Sequence, residues 1–155
     1  MSDILQLERF FTVKMHVEVI SPDEQPDEGQ KLSDHSFNVD YKVYRKPDDP
    51  DRYMMSLFLS IEPKTYGWKV NAQLDGFFKC PESLSSSMRE GVVRINGGTI
   101  LYGLLRGQLS AMTGSFFGGP VILPTVNMME IVKAKEEKAG NTVIESTDDE
   151  NENSE

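Results

Sequence analysis

Two histidines and one cysteine are the only imidazole or thiol groups in this chain, and their placement argues against chemistry. His16 lies in an alternating run between Met15 and Val17, and His35 ends a polar loop. Neither joins a Cys, His or acid cluster at metal-ligand spacing, so both read as surface histidines, and no metal or cofactor is expected. Cys80 cannot form an intramolecular disulfide; it reads as a small half-buried hydrophobe and fits a reducing compartment. The stretch Asn96-Gly97-Gly98-Thr99 before a helical pattern could cradle a phosphate, but the lysine and spacing of a P-loop are missing. GxSxG elbows are absent, and no acid pair stands out from the loop aspartates. The expectation is that this is not an enzyme.

The elements that would position any site are plainer. Phe11, Val13, Met15, Val17 and Val19 alternate with Thr12, Lys14, His16 and Glu18, the pattern of a half-buried strand. Phe37, Val39, Tyr41 and Val43 repeat it, as do Tyr53 to Ile61 and Trp68 to Leu74. The joining segments SPDEQPDEG, RKPDDPD and EPKTYG are rich in Pro, Asp and Gly, and the last two are short enough for hairpins. A four-stranded antiparallel sheet follows, with one face needing cover.

The cover is a helix from Thr99, with Ile100, Leu101, Leu104, Leu105, Leu109 and Met112 at helical spacing. NGG reads as a break before it and Gly114 as its stop. Gly103 and Gly107, one turn apart, would let a second backbone approach. The run GGPVILPTVNMMEIV, Gly118 to Val132, holds prolines at 120 and 124, so neither a helix nor a central strand passes through both. It must be an extended apolar loop. Asn127 then caps a short helix that carries Met128, Ile131 and Val132 on one side and runs toward Gly140.

At 155 residues, 38% hydrophobic and 26% charged, the chain suits one soluble domain, and no window approaches the roughly 20 apolar residues of a membrane span. The start, MSDILQLERFF, is too acidic and polar for a signal peptide, which points to the cytoplasm. The net charge of −9 is concentrated from Glu136 onward, where eight acids face one lysine. STDDENENSE has no apolar residue, so the expected division is a domain over 1–140 and an acidic disordered tail over 141–155. No Lys/Arg stripe invites nucleic acid.

The order of four strands, long helix, apolar proline-containing loop, short lid helix and acidic tail resembles the SecB-type export chaperones, an α+β family. The segment ILYGLLRGQLSAMTGSFFGGPVILPTVNMMEIV is similar in wording, with Ile100, Leu101, Tyr102, Arg106, Leu123, Val126 and Asn127 on matching positions. The resemblance implies an ATP-independent holdase that keeps unfolded polypeptides or preproteins in apolar grooves, assembled as a homotetramer, a dimer of dimers. It implies client-binding residues Phe116, Phe117, Val121, Leu123, Met128, Ile131 and Val132, with Gly118 to Val132 as groove wall and lid. It also implies an oligomer interface at Tyr102, Gly103, Arg106 and Gly107. The translocase ATPase SecA is the family's partner, yet Lys69 and Asn71 stand where the family carries its acidic docking face. A chaperone dedicated to one client, such as an antitoxin or a phage protein, is the alternative, followed by a small-molecule-binding α+β protein.

Overall fold

Each alternating run becomes a strand: β1 (Gln6–Ile20), β2 (His35–Arg45), β3 (Arg52–Pro63) and β4 (Gly67–Lys79). Helices α1 (Ser86–Val92), α2 (Gly98–Met112) and α3 (Met128–Asp148) follow. The computed structural model describes residues 4–20, 35–116 and 118–148, with side chains up to 139. Phe117, the SPDEQPDEG connection and residues 149–155 of the expected tail lie outside them.

The sheet is antiparallel throughout, in the order β1-β4-β3-β2. Strands β2, β3 and β4 form a meander on tight connections, and β1 returns beside β4, which is Greek-key connectivity. Both β1 and β2 are therefore edges, each with one backbone side unpaired within the sheet. Met55, Leu57, Leu59 and Ile61 of β3 and Val70, Ala72, Leu74 and Phe78 of β4 fill the inner face, where Leu101, Leu105 and Leu109 of α2 seal them from water. Gly76 lets α2 lie close, since a Cβ there would sit 2.7 Å from a Leu101 methyl.

The structure corrects the sequence reading of β1. The register slips between Thr12 and Lys14, leaving Val13 unpaired; Thr12 faces Leu74, Met15 faces Ala72, and Phe11 faces Asp75 on the other side of the sheet. A bulge inserts one residue and reverses the parity of the residues before it, until a second slip between Leu7 and Arg9 restores it and Leu7 returns to the core face. Met15, Val17 and Val19 pack on the core, whereas Phe11 and Val13 are exposed. Thr12, assigned to the polar face, points instead at α2 and bonds Gln108 at 3.1 Å.

His35 is also not a surface residue. It is buried at the head of β2, stacks on Trp68 at 5.3 Å, and its Nε2 accepts the Trp68 N–H at 3.0 Å. Gly67, at φ 137°, makes room: a Cβ would strike the imidazole. His16 does lie exposed, 3.3 Å from Glu18. Cys80 is fully buried, and desolvation pushes its thiol pKa up, so it is inert packing.

The NGG stretch does not break the helix. A π-helical turn, Val93–Gly97, joins α1 to α2 without interruption, and the Gly98 N–H bonds carbonyls of Arg94 and Ile95. Those amides are consumed by the helix and cannot cradle a phosphate. The glycines serve packing, because side chains at 97 and 98 would press on Phe78, Met55 and Met128. α3 likewise continues past Gly140 to Asp148, so its last two turns lie within the segment expected to be tail. One glycine costs about 1 kcal/mol against alanine, too little to end a helix rich in Lys, Glu and Ala. No helix among the described residues is long and apolar enough to cross a membrane.

Candidate functional site: a groove at the open edge of the sheet

The loop between α2 and α3 is extended, as its prolines require, and is pinned at two points. Buried Thr113 accepts the Val121 N–H on its Oγ1 at 2.7 Å while donating to the Leu109 carbonyl. The Tyr102 hydroxyl donates to the Pro124 carbonyl. Between these pins the side chains alternate: Val121 and Leu123 are sealed in the core, and Ile122 is 55% exposed. Gly118 and Gly119, both at positive φ, turn the chain into this path. Asn127 ends it by capping α3, its Oδ1 accepting the Met129 N–H at 3.1 Å.

Burial raises the Tyr102 pKa to about 12, with Arg106 opposing weakly. The neutral phenol is the form the fold holds. Stability is therefore whole below the ordinary tyrosine value near 10 and is lost as pH climbs from there toward 12, because the unfolded chain ionises first. Thermal melts between pH 9 and about 12.5 should show this decline, and Tyr102→Phe should flatten it relative to the parent. Equal slopes in both proteins would show that another group drives the loss.

The pinned loop and α3 stand off from β2 and leave a groove of about 720 Å³. Phe37 and Val39 of β2, Val126 of the loop and Ile131 of α3 give it an apolar lining, all of them half-buried. Asn38, Thr125, Asn127, Glu130 and Lys138 supply polar margins. Among the described residues the strand beside it is an unpaired edge, and the backbone shows which groups are open. The Tyr41 N–H bonds the Asp40 carboxylate at 2.8 Å, and the Tyr41 carbonyl accepts from Lys135 Nζ, so residue 41 directs both groups away from β3. Alternation along a strand then directs those of Phe37 and Val39 outward too, into the groove.

At Tyr41 the edge is closed by side chains. Lys135 Nζ reaches Asp40 at 2.8 Å and lies 4.2 Å above the Tyr41 ring. Partial burial works against the Asp40 carboxylate, but the Lys135 ammonium and the Tyr41 N–H outweigh it and hold its pKa below the ordinary range. Beyond this bridge lies a second hollow of about 390 Å³ along Lys42 to Tyr44, bordered by Glu90, Arg94 and Glu136. Lys135 is thus the partition between two stretches of one edge groove. Replacing it with alanine is expected to join them while leaving the fold intact, because exposed ion pairs contribute less than about 1 kcal/mol.

The sequence-derived site residues divide accordingly. Ile131 lines the groove, and Phe116 is half-buried beyond it. Val121, Leu123, Met128 and Val132 are buried in the chain's own core and have no surface to offer a ligand in this conformation. Phe37, Val39 and Val126, three of the four residues named in the apolar lining, were not among the client residues expected. Tyr102 is buried behind the loop, whereas Gly103, Arg106 and Gly107 form an exposed outer stripe of α2. Among the described residues, nothing beyond their chain neighbours and the helix's own backbone comes within 4 Å of a Cβ built on either glycine.

No family model and no curated protein matches the sequence. Among solved structures, a SecB-like chaperone of Mycobacterium tuberculosis in complex with a ChAD peptide from the HigA1 antitoxin is similar, with a TM-score of 0.54 at 12% identity over 79% of this chain and 90% of that one. A protein of unknown function from Streptococcus agalactiae aligns over 81% of this chain and 100% of that one, at 10% identity and a TM-score of 0.45. The first likeness shows that the fold is SecB-like.

Proposed function

We propose that the chain is an ATP-independent holdase that binds unfolded polypeptide in the groove beside β2. The observation that carries this reading is the pairing of an apolar lining, Phe37, Val39, Val126 and Ile131, with open backbone groups on the adjoining strand edge. An extended segment can add to β2 through main-chain hydrogen bonds, which are blind to sequence, while its alternate side chains enter the apolar lining. Sequence-tolerant binding without a catalytic centre is what a holdase needs. The SecB-like fold supports it, and so does the peptide carried by the mycobacterial neighbour.

That neighbour's ligand is an antitoxin peptide, which favours a dedicated client over general export for this chain as well. Assembly fits the same reading. The bare Gly103/Gly107 stripe of α2 would pack against a second copy, as in a dimer of dimers, and light scattering should then give a mass above the monomer.

Suppression of aggregation of a chemically unfolded substrate tests the groove. Ile131→Ser and Phe37→Ser should keep the parent's circular dichroism spectrum and lose most of the protection. Lys135→Ala should protect as well as the parent or better. Variants that stay folded and protect like the parent would sink the groove as the client site. A pull-down separates the two kinds of client: one dominant protein marks a dedicated role, and signal-bearing preproteins with SecA mark export.

A further inference from the structure

The outer face of the sheet, away from the helices, is polar along most of β1 and β4, where Lys14, His16, Glu18, Lys69, Asn71 and Gln73 face outward. At the end formed by the β2–β3 hairpin and the start of β1 its character changes. There Phe77 and Met54, side by side in the register, are half-buried, and Tyr44, opposite Met54, is 47% exposed. They floor a cleft of about 620 Å³, large enough for a compact ligand.

The rim of this cleft is basic: Arg9, Arg45, Lys46 and Arg52, against the single acid Glu8. Arg52 is spent internally, paired with Glu8 at 2.8 Å and with Asp49. Among the described residues, Arg9, Arg45 and Lys46 have no carboxylate partner. Arg9 is held in place by aromatic rings instead, its guanidinium 4.7 Å from Phe77 and 5.5 Å from Phe11. A chain of net charge −9 thus gathers three cations outside any salt bridge, Lys46 only within the wider field of Asp49, around one of its few exposed aromatic surfaces.

We propose that this cleft is a second binding site, distinct from the β2 groove, for an acidic peptide segment that carries one bulky apolar side chain. Carboxylates would meet Arg9, Arg45 and Lys46, two of which can bind them bidentately. The apolar side chain would cover Phe77, Met54 and Tyr44. Nucleic acid fits less well, because a long polyanion would run off three cations onto a surface of the same sign. The chain's own STDDENENSE matches the charge but has no apolar residue for the floor. The site would give the protein a partner contact that leaves the groove free.

Fluorescence anisotropy with four labelled peptides tests this on the full-length protein. The probes are a short Asp/Glu peptide with one central Trp, the same peptide with Gly for Trp, the same with Lys for the acids, and STDDENENSE. The first should bind and weaken as salt rises; each of the others should bind at least about ten-fold more weakly. Arg45→Glu with Lys46→Glu, both exposed, should lower its affinity at least about ten-fold without altering the circular dichroism spectrum. Ile131→Ser should not change it. Equal binding of STDDENENSE would make the tail the occupant and overturn the proposal. So would loss of binding in Ile131→Ser, which places the peptide in the groove, or indifference to the charge reversals.

Discussion

Met128→Asp is expected to unfold the chain, while Met129→Asp, one residue on, should change the unfolding free energy by less than about 0.5 kcal/mol. Met128 is 2% exposed and lies against Gly98 of the helical run, so an aspartate there has no water and no cation to meet. Burying an uncompensated carboxylate costs several kcal/mol, comparable with the roughly 5–15 kcal/mol that holds a domain together. Met129, about 100° further round α3, is 56% exposed. Urea melts by circular dichroism separate the two. A cooperative transition for Met128→Asp near the parent's midpoint would show that this end of α3 lifts off the core, making it a lid after all.

That contrast marks how far one sequence reaches. Period-2 alternation located four strands, the apolar repeat located α2, and Pro120 with Pro124 dictated an extended loop; local patterns suffice for each. Strand order is set by pairing between distant segments, and nothing in a single chain states that β2 lies at an edge. Phe37 and Val39 therefore read as ordinary core-facing residues, and their open backbone groups went unseen. The burial of Met128 and Val132 was hidden for a related reason. An apolar helix face must cover something, but periodicity does not say whether that is the chain's own sheet or another polypeptide.

The bulge at Val13 and the run through Asn96-Gly97-Gly98 show a second limit. A one-residue insertion leaves hydrophobic alternation intact to the eye, yet it moved Phe11 across the sheet, where it packs against Phe77 and Arg9 beside the basic cleft. Glycines read as punctuation when isolated from context. Here Gly97 and Gly98 allow a helix to lie against Phe78 and Met55, a packing demand visible only once the sheet exists.

Leu123→Ala should cost about 2–5 kcal/mol and reduce client binding even at temperatures where the variant remains folded. Leu123 is fully buried from a segment with no regular backbone hydrogen bonding, so its burial is what holds the loop centre on the sheet, between the pins at Thr113 and Tyr102. Thr125, Val126 and Asn127 follow directly after Pro124 and form one wall of the β2 groove. Loosening the anchor leaves that wall without a fixed position, and an apolar lining whose members move apart offers less area to a client. Tyr102→Phe removes only the hydrogen bond to Pro124, about 0.5–1.5 kcal/mol, and should weaken client binding less. Chemical denaturation gives the stability difference, and aggregation suppression measured well below both midpoints gives the function. If Leu123→Ala loses the expected stability and still protects an unfolded substrate as the parent does, the loop is core alone, and the groove beside β2 does not depend on it.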